Sequence, residues 1–240
     1  MPFLKEISFN WGSVPKSKRF PFNISSLRGV QSIPLKENVT FFIGENGSGK
    51  STLLEAISTK CGFSNRGGSR NNLLLGSDEE STLETVIKLS WLPKVTNGFF
   101  FRAETFFNFA GYLDELGPEV YKYYGGKSLN KQSHGEAFLS LFAHRFNGRG
   151  LYILDEPESA LSPQRQLVFL RIMRDLEQKG KAQFIIATHS PILIAYPNAT
   201  IYSFDESPLR EVHYWETEHY QTTKNFLNDP EKFLKRLFEG

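Results

Sequence analysis

The sequence predicts an α/β fold in which helices flank a mainly parallel central sheet. Three apolar runs typical of buried strands, residues 39–43, 151–155 and 183–188, are separated by the helical patterns of residues 51–58 and 163–178. Strands that alternate with helices form parallel sheets. Polar or glycine residues end or follow each run, so we expect them together at the carboxyl edge of the sheet, where open α/β sheets bind ligands.

The other segments predict an antiparallel β part at the N-terminus and further helices. Predicted strands cover residues 3–9, 83–91, 99–101 and, at an edge, 202–214, while helices are expected from Phe106 onward and over 217–238. A stretch rich in glycine, serine and asparagine, 62–76, predicts a surface loop or small hairpin. The three phenylalanines of 99–101 are interpreted as core rather than as a platform for base stacking.

The run after the first strand is a complete phosphate-binding loop of the pattern G-x-x-x-x-G-K-S. It comprises Gly44, Glu45, Asn46, Gly47, Ser48, Gly49, Lys50, Ser51 and Thr52. Gly44, Gly47 and Gly49 allow backbone conformations in which successive N–H groups converge on phosphates. Lys50 is expected at the β- and γ-phosphates, and the Ser51 hydroxyl at Mg²⁺. The pattern therefore predicts a P-loop NTPase that binds ATP with Mg²⁺.

Two further strand ends carry groups suited to phosphoryl transfer. Asp155 is predicted to hold Mg²⁺ through water from the side opposite Ser51, and Glu156 to orient and polarise the attacking water. His189 follows the third strand, and its imidazole is expected to hydrogen-bond the γ-phosphate or that water. Lys50, Glu156 and His189 are the predicted catalytic residues.

A fourth motif, residues 132–136, precedes a helical pattern and supports two interpretations. Ser133 and Glu136 form the S-x-x-E pattern of a capping box. An exposed helix N-terminus with Ser133 and Gly135 is also a phosphate site. Both can hold at different stages of a reaction cycle.

The order of these motifs resembles that of the ABC-type ATPases, which include transporter nucleotide-binding domains and SMC and RecF-like ATPases. The likeness covers nearly the whole chain and is greatest to small stand-alone bacterial AAA/ABC-like ATPases. Residues 133–136 correspond to the signature motif, with His134 in place of the usual Gly, and Ser162 stands where the D-loop commonly has Asp. The resemblance implies one ABC-like ATPase domain over 1–240, with 62–132 as an inserted subdomain ending at the signature.

The resemblance also implies an ATP-gated homodimer. Two copies would pair head to tail around two ATP molecules. Ser133, Gly135 and Glu136 of one copy would then act in trans on the nucleotide bound to the phosphate loop of the other.

One expected element is missing. Family members carry a Gln that ligates Mg²⁺ between the phosphate loop and the signature, but no Gln occurs between Thr52 and Lys131. Glu104 is our candidate substitute, since a carboxylate oxygen can also ligate Mg²⁺. The alternative is that Glu104 is a solvated residue at a helix start with Arg102 as its partner.

Composition agrees with a compact enzyme of one domain that buries a full core. The chain has 240 residues, 40% of them hydrophobic, and a formal net charge of +2, which neither demands nor excludes nucleic acid. The basic cluster of Lys16, Lys18 and Arg19 is interpreted as a solvated loop. Three residues near it stay open as alternatives for the contact with adenine: Phe20, Phe22 and Arg28.

Cysteine usage and hydropathy indicate a cytoplasmic location. The single cysteine, Cys61, excludes an intramolecular disulfide and fits a reducing compartment. No signal-peptide pattern occurs, and no run approaches the 18 apolar residues of a membrane span.

The motifs thus predict Mg²⁺-dependent binding and hydrolysis of ATP. The resemblance implies that this ATPase is a switch that acts with DNA or an effector protein, as in repair or defence. Two alternatives stay open. One is the nucleotide-binding subunit of an ABC transporter, which would need a separate membrane subunit, and the other is a slow nucleotide sensor.

Overall fold

The computed structural model describes residues 1–14, 19–64, 67–69, 82–146 and 148–239. Within these ranges the chain forms nine strands and six α-helices. The strands are β1 (Leu4–Phe9), β2 (Ser32–Pro34), β3 (Val39–Ile43), β4 (Ile87–Trp91), β5 (Gly98–Arg102), β6 (Gly150–Asp155), β7 (Ala182–Ala187), β8 (Thr200–Ser203) and β9 (Arg210–Glu211). The helices are α1 (Lys50–Cys61), α2 (Phe106–Glu115), α3 (His134–Arg145), α4 (Pro163–Gln178), α5 (Glu218–Asn228) and α6 (Pro230–Glu239).

Two sheets organise the molecule. The central sheet has the order β5-β6-β7-β3-β8-β9, and all neighbours in it are parallel except β8 and β9. The smaller sheet is antiparallel, with the order β2-β1-β4. This confirms the predicted α/β class with an antiparallel N-terminal part.

Alternate residues of the central strands enter two separate cores. Phe41 of β3, Tyr152 of β6 and Phe184 of β7 belong to a cluster formed with α2, α3 and α4. Phe42 and Ile153 belong to the other cluster, which includes residues of α1 and the antiparallel sheet. Both faces of the sheet are therefore covered, which explains why its strands are apolar throughout.

Gln183 of β7 joins the two sheets. Its side-chain Oε1 accepts hydrogen bonds from the N–H groups of Phe3 (2.9 Å) and Leu4 (2.8 Å), and its Nε2 donates to the Leu4 carbonyl oxygen at 2.8 Å. The side chain is fully buried. It therefore satisfies backbone groups of β1 that the apolar core could not.

Several elements differ from their predicted limits. The strand predicted over 83–91 is shorter, because Thr82–Thr85 form a 3-10 turn and β4 begins at Ile87. The helix predicted over 217–238 is two helices, because Asp229 has an extended φ of -153° and Pro230 starts α6. Most of the loop predicted at 62–76 lies outside the described residues.

The segment 62–132 contributes to both sheets before it turns helical. Its strand β4 pairs with β1, and β5 pairs with β6, where Phe99, Phe100 and Phe101 are buried as predicted. The chain then forms α2 and short 3-10 turns that lead to α3. The limits of an inserted subdomain stay a prediction. None of the helices in the described ranges is long and apolar enough to cross a membrane.

Candidate nucleotide site

The carboxyl ends of β3, β6 and β7 lie side by side at one edge of the central sheet. Phe42 of β3 and Asp155 of β6 both pair in register with Ala187 of β7. Because the three strands end at the same level, the phosphate loop, the Asp155–Glu156 pair and His189 leave the sheet together. The structure thus brings together the residues that the sequence placed on three separate strand ends.

The phosphate loop needs glycine at three positions. The φ angle is 139° at Gly44, 80° at Gly47 and 103° at Gly49. A Cβ atom at Gly49 would lie 2.7 Å from the Ile24 side chain, and one at Gly44 would lie 2.9 Å from the Asp205 carboxylate. Gly49 is the N-cap of α1 and makes no side-chain cap hydrogen bond. The loop and the first turn of α1 therefore have the form of an anion site.

The other loop residues are arranged around this anion site. Glu45 and Asn46 are exposed at the tip of the loop, whereas Ser48, Ser51 and Thr52 are half-buried. The Ser48 hydroxyl oxygen is buried and has no hydrogen-bond partner among the described residues. Since buried polar groups are nearly always paired, this hydroxyl is suited to contact a polar ligand.

Lys50 lies inside the loop. Its Nζ donates to the carbonyl oxygens of Gly44 (2.6 Å) and Glu45 (2.9 Å). Burial lowers the pKa of Lys50, while the nearby carboxylates of Glu156 and Asp155 act in the opposite direction. Phosphate oxygens could replace the two carbonyls and form stronger, charge-assisted hydrogen bonds.

Ser51 and Asp155, the two predicted Mg²⁺ ligands, are in contact. The Ser51 hydroxyl donates to Asp155 Oδ1 at 3.1 Å. Burial raises the pKa of Asp155 to about 6. Mg²⁺ is usually bound by one or two protein oxygens together with substrate phosphates and water. A buried carboxylate and a hydroxyl that converge beside the phosphate loop therefore fit this ion.

Arg102, at the end of β5, is a site residue that the sequence analysis considered only as a partner of Glu104. It pairs in register with Asp155, and its Nε lies 3.8 Å from Asp155 Oδ2. The guanidinium also forms ion pairs with Glu55 of α1 and, at 3.0 Å, with Glu104. The Glu104 side chain is 76% exposed. This arrangement agrees with the solvated alternative and gives Glu104 no contact with the Mg²⁺ ligands.

Glu156 has an unusual backbone conformation directly after β6. Its φ of 51° is left-handed, which is rare for a residue with a side chain and frequent at functional sites. The side chain is 44% exposed, and its Oε1 lies 3.8 Å from Nε2 of His189. The carboxylate therefore opens toward solvent next to the imidazole.

Two residues outside the predicted set hold His189. Its backbone N–H donates to Glu158 Oε1 at 2.6 Å, and its Nδ1 lies 3.1 Å from Nε2 of His219 in α5. Burial lowers the pKa of His189 and raises the pKa of Glu158. Glu158 belongs to the acidic run after β6, but nothing in the local sequence of His219 indicates its position.

Comparisons with known proteins agree with this geometry. A model of AAA domains matches residues 22–109. A second model, described as "AAA domain, putative AbiEii toxin, Type IV TA system", matches residues 137–195. No curated protein sequence matches the chain.

Solved structures that share the fold include parts of ABC transporters. The chain is similar to cbiO1 from Clostridium perfringens, part of the ABC transporter complex cbiONQ, with a TM-score of 0.54, 16% identity and 100% of both chains covered. It is also similar to a nucleotide-free cassette of an ABC transporter, with a TM-score of 0.51, 16% identity and 96% and 97% of the two chains covered. The SMC head domain from Thermotoga maritima has a TM-score of 0.46 at 19% identity, with 89% and 100% covered.

The chain has the P-loop fold of these ABC transporter structures, and two models of AAA domains each match a part of it. The resemblance predicted from its motifs is thereby confirmed, together with the P-loop fold.

The residues predicted as the signature, 133–136, form the capping box at the start of α3. The Ser133 N–H donates to Glu136 Oε2 at 3.0 Å, and both side chains are exposed. Arg165 of α4 donates from Nη1 to Ser133 Oγ at 3.3 Å and lies 3.7 Å from Glu136. A Cβ atom at Gly135 would lie 2.2 Å from Arg165 Nη1. These contacts join the signature to α4 and not to the phosphate loop of the same chain.

The segment before β2 borders the phosphate loop of the ABC-like domain. Ser26 Oγ donates to the Ser48 carbonyl oxygen at 3.1 Å. Phe20 is 68% exposed, whereas Phe22 is partly buried against the core that includes α1. Arg28 is exposed. Lys16 and Lys18 lie outside the described residues. The three candidate adenine contacts thus belong to the segment that reaches the loop.

Proposed function

We propose that this protein binds ATP with Mg²⁺ and hydrolyses it by attack of water on the γ-phosphorus. One observation carries the proposal: a phosphate loop, a hydroxyl–carboxylate pair and a carboxylate–imidazole pair occupy one sheet edge. The first pair is Ser51 and Asp155, with oxygens 3.1 Å apart, and the second is Glu156 and His189, with oxygen and nitrogen 3.8 Å apart. Phosphoryl transfer to water needs these groups in this proximity.

Each group has a distinct role in the proposed reaction. Lys50 exchanges its two loop carbonyls for phosphate oxygens and stabilises the charge that develops on them. Glu156 orients the attacking water and accepts its proton, since it is the more exposed of the two carboxylates after β6. His189 donates a hydrogen bond to the γ-phosphate. Ser51 and Asp155 would hold Mg²⁺, which would supply positive charge to offset the negative charge of the phosphates.

We propose that hydrolysis takes place in a head-to-tail homodimer that forms when ATP is bound. At the start of α3, Ser133 and Glu136 are exposed and Gly135 is buried, and the side-chain contacts of this turn are with Arg165 of α4. In a dimer this turn would add a helix N-terminus to the partner's γ-phosphate. Arg165, which contacts Ser133, would bring a guanidinium to the same phosphate.

We propose that the ATP cycle acts on DNA or on an effector protein, in repair or defence. The match of residues 137–195 to a model whose description includes a toxin of a type IV toxin–antitoxin system supports an effector role. The formal net charge of +2 is compatible with either partner.

The test is steady-state phosphate release at several protein concentrations, with and without double-stranded DNA. Turnover per chain is expected to rise with concentration, because the signature acts in trans. Glu156→Gln is expected to lower kcat by about 100-fold, to retain ATP binding and to trap a dimer that light scattering detects. Glu119→Gln, at a side chain 94% exposed, is the matched control.

The outcomes separate the alternatives. Unchanged turnover in Glu156→Gln would remove Glu156 from its role. ATP binding without turnover in the unmodified protein would identify a nucleotide sensor. Turnover that responds to concentration but not to DNA would direct the search to a protein partner.

A further inference from the structure

His219 in α5 contacts the imidazole of His189, although 30 residues separate them in sequence. Nδ1 of His189 and Nε2 of His219 are 3.1 Å apart, and the ring centroids are 5.3 Å apart at an interplanar angle of 52°. Two imidazole nitrogens at this distance share one hydrogen, so one ring must donate and the other accept. The contact therefore selects a tautomer for each ring.

Both rings cannot be charged in this contact. Burial, Lys50 and His219 lower the pKa of His189 against the opposite effects of Glu156 and Glu45, which favours the neutral ring. A neutral imidazole carries one N–H and one lone pair. Two arrangements remain: His219 donates to His189, or His189 donates to His219.

The two ring nitrogens that do not take part in the 3.1 Å contact distinguish these arrangements. Nε2 of His189 and Nδ1 of His219 are buried and have no hydrogen-bond partner among the described residues. Suppose that Nδ1 of His189 donated to Nε2 of His219. The N–H of His219 would then lie at Nδ1, where it is buried without an acceptor. The Nε2 of His189 would carry a lone pair, and this lone pair would face the Glu156 carboxylate at 3.8 Å. Nδ1 of His219 lacks a partner in either arrangement, as an N–H or as a lone pair, so the lone pair that faces a carboxylate is the feature that disfavours this one. If His219 donates, an N–H of His189 faces Glu156 instead.

We propose that His219 is a positioning residue that donates from Nε2 to Nδ1 of His189 and thereby holds the His189 proton on Nε2. This inference rests on the proposed function, in which the Nε2–H group of His189 points to the side where Glu156 and the γ-phosphate meet. The alternative tautomer would present a lone pair to an anion. Helix α5 thus supplies a part of the nucleotide site that no strand end provides.

The test uses two substitutions that differ in hydrogen bonding. His219→Gln supplies an amide N–H near the position of Nε2, whereas His219→Leu supplies none. Asn225→Ala, at an exposed position of the same helix, is the control. The tautomer of His189 is read from ¹⁵N–¹H NMR of the ring nitrogens, assigned through His189→Gln, and kcat and KM for ATP are measured on the same proteins.

We expect the unmodified protein to show the Nε2–H tautomer of His189. In His219→Leu the tautomers should mix and kcat should fall about tenfold at unchanged KM, while His219→Gln should restore both. An Nδ1–H tautomer in the unmodified protein, or an unchanged His189 spectrum in His219→Leu, would overturn the proposal. Absent turnover in every protein would refute the proposed function instead, and the spectrum would still decide the role of His219.

Discussion

Replacement of Asp155 by Asn should stabilise the metal-free protein while it removes activity. The ionised carboxylate of Asp155 is buried, and burial is the largest cause that raises its pKa from 3.8 to about 6. A pKa raised by this amount corresponds to about 3 kcal/mol of destabilisation by the charged form. Asn has nearly the same shape, can accept from Ser51 and carries no charge. The substitution should therefore recover much of this energy.

The size of the stabilisation depends on pH, whereas its sign does not. The folded state holds the Asp155 proton more tightly than the unfolded chain does, so this group lowers stability as pH rises from about 4 through about 6 and adds no further change above. The stability gained on substitution should be larger at pH 8 than at pH 5 by about 1.5 kcal/mol. For a domain of this size, that difference corresponds to roughly 3–6 °C in Tm.

Calorimetric melting in EDTA at pH 5 and pH 8 measures the difference directly, and phosphate release with Mg²⁺ should show loss of turnover. Asp175→Asn is the control for the loss of one negative charge, since this side chain is 47% exposed in an ion pair with Arg171. An equal gain in Tm at both pH values on Asp155→Asn, or the same pH dependence in Asp175→Asn, would refute the reasoning.

Three other substitutions test the fold and the loop. Gln183→Leu should lower the free energy of unfolding by about 2–5 kcal/mol in urea titrations, because buried backbone groups of β1 lose their partners. Gly98→Ala should lower Tm, since a Cβ there would lie 2.1 Å from a backbone oxygen of β6, whereas Gly111→Ala in α2, with no atom within 4 Å, should not. Lys50→Ala should abolish binding of a fluorescent ATP analogue, and Lys60→Ala at the exposed end of α1 should retain it.

Elements with strong local signals were predicted to the residue. The limits of β3 and α4 agree with the sequence, because β3 is a continuous apolar run before a glycine and α4 begins with a Ser162 cap followed by a proline. The capping box of α3 was predicted for the same reason. Residues at or next to these boundaries determine them, so they can be predicted without knowledge of distant contacts.

The parts that were not predicted depend on contacts between distant segments. Arg102 reaches Asp155 only because β5 lies beside β6, a neighbour relation that strand patterns do not specify. Asp205 accepts the Glu45 N–H at 2.7 Å because β8 lies beside β3. His219 enters the site from a helix near the end of the chain. At Asp205 and His219, neither periodicity nor a motif indicates a role, and at Arg102 the sequence indicated a partner other than Asp155.

The carboxylates around Lys50 affect which form of a nucleotide can bind at this edge of the sheet. Four carboxylates raise the pKa of Lys50, those of Glu156, Asp155, Asp205 and Glu45, against the larger opposite effect of burial. A bare polyphosphate would meet these carboxylates with one buried lysine to offset them. A divalent cation at Ser51 and Asp155 would reverse that balance, because it would add two positive charges where a carboxylate now stands buried. On the proposed function, the acidic edge would favour the metal-bound nucleotide over the free one, and this role would offset the stability that the buried charge of Asp155 costs.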